Sequence, residues 1–362
     1  MVREVDGTSR RAAAWGLGTR MLEPGRWNAI TDVPGVRVGH ATLTEHESGA
    51  VARTGVTVVM LHDGDPWAER LYAGSFALNG FGQLTCRDVI DTTGMISTPV
   101  FLTGTRSVGS VYEGAVRCSQ RSPASDNWVF IPVVGECDDS YLSDPVVTAG
   151  EREVEAALAD AHGAAVEEGA VGAGTGMALF GYKGGIGTAS RVVRLGSASY
   201  TVGVLLLTNF GRADQIRLPS GYSAPPGLDD PPQGSCIGLV VTDAPLHPQQ
   251  LSRVAQRIGF GLVRTGSTGN DGSGEIFLAV STATRIPHRS EGPLLVPVLV
   301  DEQSGGSADT PINAIFDATV EATEEAVWNA LVAARRTTGR LGRHLDAFAD
   351  LAFQATPSPW AG

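Results

Sequence analysis

Gly234-Ser-Cys-Ile-Gly-Leu-Val-Val-Thr-Asp-Ala-Pro245 places a small hydroxyl residue, Ser235, directly after a glycine and directly before an apolar run, Cys236 to Val241. The residues leading into it, 218 to 234, read Leu-Pro-Ser-Gly-Tyr-Ser-Ala-Pro-Pro-Gly-Leu-Asp-Asp-Pro-Pro-Gln-Gly. Pro and Gly dominate that loop and leave it little capacity for regular structure. The apolar run that follows predicts a buried strand. A junction of this kind is where a self-cleaving chain exposes a new N-terminal nucleophile, so the chain reads as a precursor. The bland competitor is that Ser235 merely opens a strand.

Outward from that junction, the 362 residues supply ample apolar surface, enough for one large domain or two ordinary ones. The 42% apolar and 18% charged fractions read as globular, and 46 glycines argue against long uninterrupted helices. A net charge of -12 excludes nucleic acid and anionic membrane surfaces as partners, since both need basic patches. Lys183 is the sole lysine. No stretch approaches the roughly 18 to 20 apolar residues of a membrane span, and the acidic N-terminus makes a poor signal peptide. Cys86, Cys118, Cys137 and Cys236 form no Cys-x-x-Cys pair, which indicates neither a zinc site nor a disulfide framework. The cytoplasm is the expected compartment.

Short β-branched runs predict strands at 55–61, 129–134 and 201–208. Helices are predicted over 151–168, with Glu151, Glu153 and Glu155 at its positive end, and over 247–260 after Pro245. The clearest helix runs from Pro311 to about Ala334, capped by Thr310, with Ile312, Ile315, Phe316, Val320, Val327 and Leu331 as its apolar pattern. This irregular alternation suggests a layered α+β sandwich rather than βαβ winding.

No Gly-x-Ser-x-Gly elbow, phosphate loop or dinucleotide fingerprint occurs. The glycine-rich segment 171–190 is read as close backbone packing rather than a phosphate cradle. The seven histidines are scattered, so no metal and no cofactor is expected. A serine hydrolase without an evident histidine needs another base. An N-terminal serine carries its own, because an α-amino group titrates near about 7.7 to 8.0.

Asn28-Ala-Ile-Thr-Asp-Val-Pro-Gly-Val-Arg-Val-Gly-His40, Asn79-Gly-Phe-Gly82, Val171-Gly-Ala-Gly-Thr-Gly-Met177, Gly184-Gly-Ile-Gly-Thr-Ala-Ser190, Thr242-Asp-Ala-Pro-Leu246 and Gly272-Ser-Gly-Glu-Ile-Phe277 occur in that order. Together they resemble the self-processing DmpA-like peptidases, the L-aminopeptidase/D-esterases and β-peptidyl aminopeptidases. The similarity covers about residues 25 to 335.

The resemblance implies a four-layer αββα sandwich, of the DmpA and ornithine-acetyltransferase type, formed as one domain (1–362) and assembled as a homotetramer of αβ units. It implies cleavage between Gly234 and Ser235, within the 218–234 processing loop, giving an α fragment (1–234) and a β fragment (235–362). By the same resemblance Ser235 is the nucleophile, Ser273 and Glu275 the supporting hydroxyl and carboxylate, Asn209 the oxyanion donor, and Glu136 the group that grips the substrate amine. Some members carry an aromatic residue two positions past that glutamate, where this chain has Asp138. Cys236 also replaces a more usual aliphatic residue.

The implied activity is hydrolysis of N-terminal residues from short peptides, amides or esters with a free amine, of L, D or β configuration. The competing expectation is a self-cleaving protein that binds an amine ligand, or serves in an assembly, without turnover.

Overall fold

The computed structural model describes residues 11–122, 130–218, 224, 227–228, 234–301 and 310–355. The expected processing loop therefore lies largely outside the described residues, whereas Gly234 and Ser235 are included.

In chain order the strands are β1 (Arg37–Glu45), β2 (Val51–Met60), β3 (Glu69–Ala77), β4 (Met95–Ile96), β5 (Val100–Gly104) and β6 (Val133–Cys137). They continue with β7 (Ala178–Leu179), β8 (Tyr182–Lys183), β9 (Gly185–Leu195), β10 (Ala198–Asn209), β11 (Ser235–Thr242) and β12 (Gly274–Pro287). The main helices are α1 (Arg87–Thr93), α2 (Val108–Ser119), α3 (Glu151–Asp160), α4 (Pro248–Thr265) and α5 (Pro311–Ala333).

Two mixed sheets result. One runs β1-β2-β5-β6 and the other β4-β3-β12-β11-β10-β9. Pairing is antiparallel except for β5 with β6 and β11 with β12. Strands β11 and β12, both downstream of Gly234, are thus flanked by β10 and β3 from upstream of it. Helices α2 and α3 cover the smaller sheet, and α4 and α5 cover the larger. The α+β expectation holds, with the two sheets packed face to face between helical layers.

Strand β11 shows why its sequence is apolar throughout. Ile237, Leu239 and Val241 join the core between the sheets, while Cys236 and Val240 join the core beneath α4 and α5. Both faces are buried, so no polar alternation survives.

Several boundaries differ from the sequence reading. Helix α3 stops at Asp160 rather than at residue 168, because the backbone of His162 pairs with Val38 at the edge of β1. Helix α4 runs past residue 260 to Thr265 despite Gly259 and Gly261. A methyl group at Gly261 would approach Thr323 to 2.4 Å, so the glycine permits a close crossing with α5. Of the strand expected at 129–134, Val129 lies outside the described residues and Phe130 to Pro132 are irregular; β6 begins only at Val133 and continues to Cys137 beside β5. Thr310 occupies the N-cap position of α5, but its side chain makes no capping bond.

The predicted apolar stripe of α5 is buried, and from Thr319 to Asn329 so are its polar residues. The segment from Ala12 to Asn28 lies across that stretch. The Met21 and Leu22 N–H groups donate to Glu321, Asn28 donates to Glu325, and the Ala12 N–H donates to Asn329 Oδ1. The fully buried Arg191 of β9 lies 2.7 Å from Glu325 and 3.4 Å from Glu321.

All four cysteines are free. No helix among the described residues is long and apolar enough to cross a membrane.

Candidate active site

Strand register assembles the site. Ser235, the first residue of β11, pairs with Asn209 at the end of β10 on one side and with Gly274 at the start of β12 on the other. Four of the expected residues thus meet at one end of the larger sheet: Ser235, Asn209, and the Ser273 and Glu275 that bracket Gly274. Glu136 reaches the same place from β6 of the facing sheet. It joins Ser235, Gly234, Phe81, Arg106 and Asp138 in lining a cleft of about 430 Å3. A larger surface hollow, about 650 Å3 beside Leu43, His46 and Glu151, holds none of the expected site residues.

Alternation along the strands divides these groups between two faces. Ser235 shares the face of Ile237, toward the smaller sheet, whereas Ser273 and Glu275 share the face of Phe277, toward the helices. The carboxylate and its hydroxyl therefore lie under the backbone at 234–235, opposite the Ser235 side chain. Gly234 confirms the placement, since a methyl group there would sit 3.0 Å from Ser273 Oγ and 3.1 Å from the Asn209 carbonyl oxygen. The Gly234 carbonyl accepts a hydrogen bond from the Gly274 N–H at 3.2 Å.

Polar satisfaction here is incomplete. Ser235 is 4% exposed, and its Oγ has no hydrogen-bond partner among the described residues. Glu275, 1% exposed, accepts a short hydrogen bond from Ser273 Oγ on one carboxylate oxygen and leaves the other without a partner. Burial raises the Glu275 pKa, against the Ser273 hydroxyl and the nearby Asn79 amide, which lower it. Buried polar atoms are nearly always paired, so two open ones at one sheet end are unusual.

The remaining residues are more firmly held. Asn209 Oδ1 accepts from the Ala178 N–H at 2.8 Å, and Nδ2 donates to the Asp138 carbonyl at 3.2 Å. Glu136 accepts from the Gln83 N–H at 2.8 Å and from Thr105 Oγ1. Burial raises its pKa, those two bonds oppose the shift, and the nearby Asp138 adds to it. Asp138, in place of an aromatic side chain, is fixed by the N–H and hydroxyl of Ser140, both at 2.9 Å, and puts a second carboxylate on the cleft wall.

Sequence reading missed Thr105 and Gln83, whose support for Glu136 depends on strands far apart in sequence. It also missed Arg106, on the cleft wall, and the Gly274 N–H. The 171–190 segment packs backbone on backbone as expected, with Gly185 at φ +137° and a methyl group there only 1.9 Å from the Gly169 carbonyl oxygen. Among the described residues no group of His, Cys, Asp and Glu is placed to hold a metal.

Comparison with known proteins fits this arrangement. The model for Peptidase family S58 matches residues 28–345. The chain belongs to that family. It is 38% identical over 342 residues to the beta-peptidyl aminopeptidase BapA of Sphingosinicella xenopeptidilytica, covering 87% of this chain and 83% of the relative. Among solved structures, a Burkholderia sp. beta-aminopeptidase superimposes with a TM-score of 0.83 at 37% identity, covering 95% of this chain and 97% of that one. The L-aminopeptidase D-Ala-esterase/amidase of Ochrobactrum anthropi, described as a variant of the Ntn-hydrolase fold, gives 0.82 at 36% identity over 94% and 95% of the two chains. This S58 peptidase is accordingly a hydrolase with aminopeptidase activity. The competing expectation of a binder without turnover finds no support among these relatives.

Proposed function

We propose that this chain cleaves itself between Gly234 and Ser235 and then removes N-terminal residues from short peptides, amides or esters, using Ser235 as nucleophile. The observation that carries the reading is the buried, unpartnered Ser235 Oγ beside a Gly234 peptide that rests on Ser273.

In the precursor, Ser235 Oγ attacks the Gly234 carbonyl carbon. The C–N bond breaks as the ester forms, and the nitrogen takes up the proton lost from Oγ to become the α-amine of Ser235. Water then hydrolyses the ester and leaves a carboxylate on Gly234. Departure of Gly234 uncovers Ser273, so Ser273 and Glu275 face the new amine rather than the hydroxyl. The amine takes the proton from Oγ during attack on a substrate carbonyl and delivers it to the leaving group, while Glu275, through Ser273, steadies the ammonium that forms. Asn209 Nδ2 donates to the developing oxyanion, a role worth about 2.7 to 4 kcal/mol in comparable sites. Glu136 pairs with the substrate ammonium, which an internal peptide segment does not offer.

Relatives named for β-peptides and for L- and D-amino acid substrates make all three configurations the panel to assay. The apolar run that exposes Leu294, Leu295 and Val300 is assigned to contact between copies in a tetramer of αβ units. The deciding experiment is intact mass with N-terminal sequencing. Native protein should give two fragments, the second beginning at Ser235, and Ser235→Ala should give one inactive chain. An unbroken chain with full activity would overturn the proposal.

A further inference from the structure

Lys183, the sole lysine of the chain, is fully buried at the end of β8. Its Nζ donates to three backbone carbonyls, Gly174 at 2.9 Å, Met177 at 2.8 Å and Gly184 at 2.8 Å. No carboxylate shifts its titration, which burial alone pulls down to about 7. Three acceptors at these distances use all three donors of an ammonium group and hold its proton in place. A buried cation without a counter-ion is expensive, and a hydrophobic residue would be the cheaper way to fill the space. Its position suggests what it is for.

Met177 directly precedes Ala178, whose N–H holds Asn209 Oδ1. The hairpin joining β7 to β8 turns through Phe180 at φ +52° and Gly181 at φ +76°, and left-handed geometry is uncommon for a residue as large as Phe. That turn brings the Phe180 N–H to 2.7 Å from the Phe210 carbonyl and sets the two rings edge to face at 5.4 Å. The hairpin therefore grips Asn209-Phe210 at two points, and Lys183 ties the open end of the hairpin to the helical turn at Gly172–Gly176 before it and to Gly184 after it.

We propose that Lys183 is a positioning residue for the oxyanion site, acting through the Ala178 N–H on the carboxamide of Asn209. With Oδ1 anchored, Nδ2 is aimed at the carbonyl under attack. Without the ammonium, the Met177 and Gly184 carbonyls lose their common donor and the Ala178 N–H drifts. The inference rests on the reading of Ser235 and Asn209 given above.

The test is a double-mutant cycle of Lys183→Met and Asn209→Ala. It measures kcat and KM on an alanine or β-alanine anilide per chain processed at Ser235, or the rate of processing itself where processing stalls. Asn209→Ala should lower the rate about a hundredfold. Lys183→Met should lower kcat at least about tenfold with KM within about twofold, and the double variant should be no slower than Asn209→Ala alone. Lys183→Gln, which restores two of the donors, should recover part of the loss. A Lys183→Met rate equal to the native one, or a loss that multiplies in full onto Asn209→Ala, would overturn the proposal. Recovery of both Lys183 variants only as unfolded protein would also overturn it, because the lysine would then serve the fold alone. A native rate for Asn209→Ala would instead sink the underlying reading, and the same series reports it separately.

Discussion

Two buried polar clusters sit on the larger sheet, and they are finished differently. Around Arg191, the carboxylates of Glu321 and Glu325 meet guanidinium groups, backbone N–H donors and the Asn28 amide. At the head of β11, Ser235 Oγ and one oxygen of Glu275 complete no hydrogen bond among the described residues, although the Cys137 thiol lies near the first and the Asn79 amide near the carboxylate. The first cluster fastens the N-terminal segment to α5. The second leaves a hydroxyl on the cleft wall and a carboxylate oxygen beneath the strand uncommitted, at a standing cost to stability. Buried polarity that is closed off serves the fold, and buried polarity left open is available for chemistry.

The contrast breaks most visibly if the closed cluster is cut. Arg191→Met should strand two buried carboxylates and cost about 3 to 5 kcal/mol, read as a shifted denaturant midpoint. Activity per folded chain should stay within about twofold, and a selective loss of kcat would place Arg191 in the catalytic apparatus. The open cluster should answer in the opposite sense. Glu275→Ala should lower processing or turnover at least about tenfold while leaving stability equal or higher, and normal processing with normal turnover would remove Glu275 from the site.

A smaller effect is expected at the cleft wall. Glu136→Gln should raise KM for free-amine substrates about three- to tenfold with little change in kcat. Equal turnover of N-acetylated substrates by the native enzyme would overturn the amine-binding role. The smallest effect concerns pH. Burial raises Asp139, next to the cleft, to about 7. The native chain then keeps a proton that the unfolded chain has released, so stability declines as pH rises from about 4 to about 7 and levels off above. The decline should amount to about 1 to 3 °C in Tm per pH unit. Asp139→Asn should flatten it, and an unchanged slope would assign it to other groups, such as the similarly raised Glu168.

Much of this was legible in the sequence, for identifiable reasons. An apolar strand buried on both faces announces itself, and Cys236 to Val241 did so. Pro311 marked the start of α5 because a missing N–H costs nothing there. The ordered motifs named the family and with it the expected site residues, which strand register brings together at one sheet end. What escaped the sequence is tertiary. Helix α3 ends where β1 competes for the His162 backbone, and α4 tolerates glycine because α5 passes close by. The burial of Glu321 and Glu325 depends on a partner segment some 300 residues away. Lys183 stood out by its rarity, but its three carbonyl partners come from a fold around glycines that composition alone does not describe.

Scission ahead of Ser235 would divide the polypeptide without dividing the particle, because β11 and β12 are laced on both flanks to strands of the other piece. Pulling the halves apart would mean unzipping two full-length seams and opening two cores at once. A mature enzyme of this kind would behave in denaturation as one cooperative body with an extra pair of chain ends.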